Sequence, residues 1–155
     1  MQPALFPDEI VLQTEAGKPR EAGAKVRPQT PDEALQALAA ALPAQAHLGT
    51  SSWSYPGWQG LLWDKRYSEQ MLSKHGLMAY GQHPLLRAVG IDRSFYRPLT
   101  ASQYQHFAAQ VPESFRFTIK APSLVADALV RSADGRGRQT NTAFLDPELA
   151  LQEFV

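Results

Sequence analysis

The sequence predicts an α/β fold: a parallel sheet of about three βα units, in the manner of the opening portion of an α/β barrel, behind an irregular N-terminal tail. Three observations carry this. From about residue 46, short apolar strands and helical segments alternate three times, and that order is the pattern of a parallel sheet with right-handed crossovers. Helix-start signals stand where the helices should begin, at Ser68, at Thr100 and at Asp146-Pro147. In the segment 115–120, Phe115, Phe117 and Ile119 alternate with Arg116, Thr118 and Lys120, the period of a strand with one buried face.

Taken in order, residues 1–29 read as the irregular tail, because Pro3, Pro7, Pro19 and Pro28 interrupt every short apolar run. Residues 30–155 read as the barrel portion. A short helix is predicted at about 31–41, with Thr30 as N-cap, Pro31 at the first helical position and Glu33 in a capping box. The first strand is placed near 46–51, followed by a long loop and a helix at about 69–80 capped by Ser68. The second strand is placed near 88–94. Its helix runs from about 101 to 110, with Thr100 and Gln103 spaced as a capping box. The third strand is 115–120. A loop around 131–141 follows, and Gly135-Arg136-Gly137-Arg138 within it reads as solvated, because a phosphate-loop pattern is missing. A last helix starts at Asp146-Pro147. The repetition is architectural only, with no residue-level repeat.

Composition excludes several function classes. The chain has 155 residues, room for one ordered domain. Its 15 Lys and Arg balance 15 Asp and Glu, so a strong nonspecific hold on nucleic acid is not expected. No cysteine is present, which removes disulfides, thiolate nucleophiles and zinc–cysteine sites. The N-terminus lacks a signal-peptide pattern, and no apolar run reaches the ~20 residues of a membrane helix. A cytoplasmic setting is the default expectation. His47, His75, His83 and His106 have no metal-ligand spacing, so no metal site is predicted, and the residues name no cofactor.

Three clusters carry side chains suited to chemistry. The first follows the first strand, where all three tryptophans fall between positions 53 and 63. Trp53, Tyr55 and Trp58 either fill space beneath the loop or form a stacking platform for a sugar or base. Ser51 and Ser52 lack a nucleophile-elbow context. The second cluster is Asp92, Arg93, Tyr96 and Arg97. An acid beside two guanidiniums forms a salt-bridged network, or else a carboxylate with a depressed pKa next to an anion-binding arginine. The third is Lys120. Alternation turns Val89 and Ile91 outward and Asp92 and Lys120 inward, at the C-terminal ends of their strands. There Lys120 pairs with Asp92, holds an anionic group, or acts as a base if desolvated.

Together the clusters resemble the DUF72 family, the YecE-like barrels. Gly49 to Trp58 is similar to that family's Gly-Thr-Ser-Gly/Ser-Trp-x-Tyr-x-x-Trp opening. Val89 to Tyr96 is similar to its Val-Glu-x-Asn/Asp-x-Thr/Ser-Phe-Tyr strand, and Phe115 to Ala121 to its Phe-x-Phe-x-x-Lys-Ala segment. The resemblance covers about residues 47–122. It implies a TIM-like barrel with a pocket at the strand C-terminal ends near Trp53, Asp92, Tyr96 and Lys120, and it implies no reaction. Two departures stand out: Gly90 replaces the usual glutamate, and the later half of the barrel with its Gln-x-Pro-Pro-like segment is missing. A complete barrel needs eight strands and ~250 residues. The expectation is therefore a truncated sequence, or one completed by the remaining barrel half or another chain.

Three functions follow as expectations. One is an enzyme on a small polar or anionic substrate, sugar- or phosphate-like. In it Asp92 acts as acid, base or positioning carboxylate, Arg93 and Lys120 bind the anion, and Trp53, Tyr55 or Tyr96 packs the ligand. A second is a carbohydrate- or single-stranded nucleic-acid-binding module using the aromatic loop 53–67; Ser51, Trp53, Tyr55, Trp58, Arg93 and Tyr96 are the expected ligand-binding residues. The third is a non-catalytic remnant.

Overall fold

The computed structural model describes residues 25–131 and 138–154. Residues 1–24 of the predicted tail and the Gly135–Gly137 part of the basic loop lie outside the described residues.

Strands β1 (Leu48–Thr50), β2 (Leu86–Ile91) and β3 (Arg116–Ile119) form one parallel sheet in the order β1-β2-β3. Chain neighbours are sheet neighbours, as consecutive βα units require. The fold is thus mixed α/β with a three-stranded parallel sheet. Between β2 and β3 the register is regular, with Val89 opposite Phe117 and Ile91 opposite Ile119. Between β1 and β2 it shifts after Leu48, so that Gly49 faces Ala88. A Cβ at position 49 would stand 2.2 Å from the Ala88 carbonyl oxygen. Glycine is therefore what lets the two strands approach this closely.

The helices form for reasons local to the sequence. α1 (Glu33–Ala41) is capped by Asp32, whose Oδ1 accepts from Leu35 N at 2.7 Å. The expected cap at Thr30 and first turn at Pro31 therefore shift by two residues: a carboxylate within reach of the third helical N–H outcompetes a more distant hydroxyl. Ser68 caps α2 (Glu69–His75) as expected, accepting from Met71 N at 3.2 Å. The single helix predicted over 69–80 breaks at Gly76 into α2 and α3 (Leu77–Tyr80). The second strand ends at Ile91 rather than at Ser94, because Arg93–Tyr96 close a helical turn, α4. Thr100 and Gln103 form the capping box of α5 (Ala101–Ala108).

The segment after β3 holds a short helix, α6 (Ser123–Ala126), and an antiparallel pair, β4 (Leu129–Arg131) with β5 (Arg138–Thr140). The sequence reading placed only a loop there. Buried Asn141 anchors the pair by donating to the carbonyls of Leu124 and Asp127, both at 2.8 Å. The last helix, α7 (Pro147–Phe154), starts as predicted, with Asp146 Oδ1 accepting from Glu148 N and Leu149 N.

The core lies between the sheet and its helices. Val89, Ile91 and Phe115 meet Leu72, Leu77, Tyr80 and Phe107 there, together with Trp53 and Trp63 from the loop after β1. Fully burying one such side chain stabilises by roughly 1.5–3 kcal/mol. The segment 25–29 joins this core: Val26 is buried, Pro28 bridges Trp63, and Gln29 N donates to Leu62 O at 2.7 Å. Ile119, expected to share the buried face of Phe115 and Phe117, is 37% exposed, while on the opposite face Arg116, Thr118 and, directly after β3, Lys120 are exposed. Among the described residues nothing covers that face.

Candidate functional site

β2 and β3 end side by side, and their ends carry the acid and the base. Asp92 directly follows β2 and Lys120 directly follows β3. Lys120 Nζ lies 3.1 Å from Asp92 Oδ1, with the two side chains 56% and 28% exposed. The pairing anticipated for Lys120 is the one that forms. The other anticipated arrangement, Asp92 bridged to Arg93 and Arg97, does not occur among the described residues. α4 begins immediately after Asp92 and carries both arginines round the helical turn instead.

Ser94 sets this geometry. It is fully buried, and its hydroxyl stands 2.8 Å from Ile91 O and 2.7 Å from Lys120 O. One hydroxyl thus ties the end of β2 to the end of β3 and fixes the backbone from which Lys120 projects. Sequence reasoning missed Ser94, because a serine inside a polar run carries no signal of which carbonyls it will reach.

Next to the pair, Ser51, Ser52, Trp53, Gly90, Ile91, Asp92 and Arg93 line a pit of about 10 Å³, room for about one water. A Cβ at position 90 would lie 2.8 Å from Ser51 O and 3.1 Å from Ser51 Cα. The backbone of the first loop therefore occupies the space a side chain would need at Gly90. The replacement of the family's usual glutamate by glycine is thus accompanied by a close approach of chain.

The aromatic loop divides by burial. Trp53 is 3% exposed and Trp63 is 0% exposed, and each indole N–H is satisfied: Trp53 Nε1 donates to Ser73 O at 3.3 Å and Trp63 Nε1 to Tyr55 O at 3.0 Å. These two rings are core. Tyr55 is 59% exposed and meets half-buried Trp58 edge-to-face, centroids 5.4 Å apart. Neither lines the pit. Tyr96, 73% exposed, packs edge-to-face on Phe95 on the outside of α4, so it also stands away from the pit.

Tyr80 braces the loop from below. Its hydroxyl donates to Ala88 O at 3.0 Å, accepts from Thr50 N at 3.1 Å, and stands 2.8 Å from Thr50 Oγ1. Burial raises its pKa above the ordinary phenol value, which keeps this phenol protonated as a structural donor.

Arg93 borders the same pit as Asp92, but its guanidinium turns to the rings of Trp53 and Phe107 rather than to the carboxylate. Its guanidinium lies 5.6 Å from the centroid of Trp53 and 5.5 Å from that of Phe107, and those two rings meet edge-to-face at 5.4 Å. Burial lowers its pKa from the ordinary arginine value, yet a guanidinium stays charged in proteins. Here it lines a groove of about 410 Å³ between α2 and α5. Phe107, His106 and Gln110 line it too, and sequence reasoning did not single them out for a site.

Among the described residues no group of three or more His, Asp or Glu side chains is placed to hold a metal ion. No helix among them is long and apolar enough to cross a membrane. A family model described as "Protein of unknown function DUF72" matches residues 47–151. No curated protein and no solved structure matches the chain.

Proposed function

This chain belongs to the DUF72 family, and on that premise we propose that it contributes βα units to a TIM-like barrel whose strand-end mouth takes a small polar or anionic molecule, sugar- or phosphate-like. The observation that carries the reading is the Asp92–Lys120 pair at 3.1 Å across adjacent strand ends. Ligands of parallel α/β folds bind outside the carboxyl ends of the strands. At 56% exposure Lys120 presents its ammonium to an incoming anion. Asp92, at the end of the neighbouring strand, then holds or exchanges a proton with the ligand. Arrival of an anion at Lys120 breaks an ion pair that contributes at most about 1 kcal/mol, so the exchange costs little.

Calorimetric titration of the full chain with neutral sugars and sugar phosphates tests this, with turnover followed in the same mixtures. Lys120→Gln should weaken binding of the sugar phosphates about tenfold or more, the worth of a charge-assisted hydrogen bond. Asp92→Asn, which frees Lys120 from its pair, should instead leave or raise anion affinity and lower turnover. Unchanged binding and turnover in both variants would remove the reading.

The mouth also needs covering. Arg116 and Thr118 on β3, and Lys120 directly after it, face away from the core and are exposed, and β1 and β3 each have one strand neighbour among the described residues. Barrel interiors are packed rather than bare. The remaining barrel half or another chain is thus the partner this reading requires. Sedimentation equilibrium and a thermal melt check it: a monomer that unfolds in one cooperative transition contradicts it.

A second reading rests on Tyr55, the most exposed ring of the aromatic loop at 59%, as a stacking surface for a carbohydrate or single-stranded nucleic acid. Glycan and oligonucleotide panels that leave tryptophan fluorescence unchanged, Trp58 being the ring against Tyr55, count against it.

A further inference from the structure

Beyond the strand-end mouth, we propose that the groove between α2 and α5 is a second binding site, built for a small phosphate-bearing molecule. The groove is about 410 Å³, within the size range of small-molecule sites. Its lining includes Lys74, His75, Arg93, His106, Gln103 and Gln110, and no aspartate or glutamate. The guanidinium of Arg93 is the anchor. Trp53, 3% exposed, and Phe107, 9% exposed, hold it by their rings. Among the described residues it makes neither an ion pair nor a hydrogen bond.

An arginine fixed by aromatic faces, with its donors unspent, is preorganised to grip an oxyanion in a forked geometry. The neutral overall charge of the chain makes a groove with cations and no acid a local choice rather than a general excess. The charge count favours phosphate over a single carboxylate. Arg93 and Lys74 are two permanent cations, matching the charge of about −1.5 to −2 on a phosphate monoester near neutral pH. The imidazoles of His75 and His106 and the amides of Gln103 and Gln110 supply further donors for the remaining oxygens.

The test is calorimetric and NMR titration of the full chain with inorganic phosphate, glycerol 3-phosphate and acetate. Saturable phosphate binding is expected, with amide shifts confined to 73–75, 93 and 102–110. Lys74→Gln, on an exposed helix surface, should weaken it roughly tenfold, and Arg93→Gln by more, in keeping with lost charge-assisted hydrogen bonds. Because Arg93→Gln also disturbs the ring packing, Lys74→Gln and His106→Ala carry the test if that variant fails to fold. The proposal is overturned by any of three results: phosphate affinity unchanged in Lys74→Gln and His106→Ala, acetate bound as tightly as phosphate, or shifts centred on Ser51, Asp92 and Lys120 with loss of binding in Lys120→Gln. The last outcome would assign the anion to the strand-end mouth and leave the reading of that mouth standing.

Discussion

Asp92 and Arg93 are consecutive in the chain and both border the pit at the strand ends, yet their charged groups turn to two unlike regions. Asp92 turns to Lys120 at the open ends of β2 and β3, where both partners keep solvent contact. Arg93 turns into the groove between α2 and α5 and rests on rings of the core. The mouth is thus assembled from exposed side chains on a well-fixed backbone. The groove has core rings, Trp53 and Phe107, beneath Arg93 and polar side chains of α2 and α5 along its sides. Physically, mouth side chains can change with little effect on folding, whereas groove rings cannot change without disturbing the core.

Substitutions across the two regions should therefore fall in a definite order of stability. Trp53→Ala is expected to cost the most, about 3–5 kcal/mol, since it removes a buried ring and the surface on which Arg93 lies. Chemical denaturation measures this, and a loss under 1 kcal/mol would break the distinction at its strongest point. Gly90→Ala comes next at about 1–3 kcal/mol, because the new methyl meets the backbone of Ser51. If the midpoint of that variant does not move, the first loop yields more easily than the close approach implies. Ser94→Ala should cost about 1–2 kcal/mol, leaving the carbonyls of Ile91 and Lys120 short of a donor. It should also weaken ligand binding at the mouth while the groove is unaffected, a split that titration of both sites resolves. Smallest is Lys120→Gln, expected within about 1 kcal/mol of the parent. A larger loss would show the exposed pair to be structural, and would erase the contrast between the regions.

Much of the fold was legible in the sequence because its signals are local. Ser68, Asp146 and the Thr100–Gln103 box mark helix starts by hydrogen bonds spanning two or three residues. The alternation of Phe115 and Phe117 with Arg116 and Thr118 fixes which face of β3 meets the core. What failed to show was non-local or competitive. Asp32 displaced Thr30 as a cap, Gly76 divided one helix in two, and the β4–β5 pair depends on Asn141 reaching the carbonyls of Leu124 and Asp127. In the site, the pairing of Asp92 with Lys120 was foreseeable from strand ends in register. The departure of Arg93 from Asp92 was not, because it depends on a helical turn closing one residue later.

The sequence by itself determined a strand–helix order, a parallel sheet, the core-facing side of Phe115 and Phe117 and a family resemblance, since each rests on residue types at short spacing, though Ile119 departs from that alternation and is exposed. Only the tertiary structure decided where the cations go. Lys120 pairs with Asp92 because β2 and β3 run in parallel register to a common end. Arg93 lies on Trp53 and Phe107 because loop and helix, 54 positions apart from Trp53 to Phe107, pack their rings at 5.4 Å. Contacts at such separations are created by packing, and no local pattern encodes them.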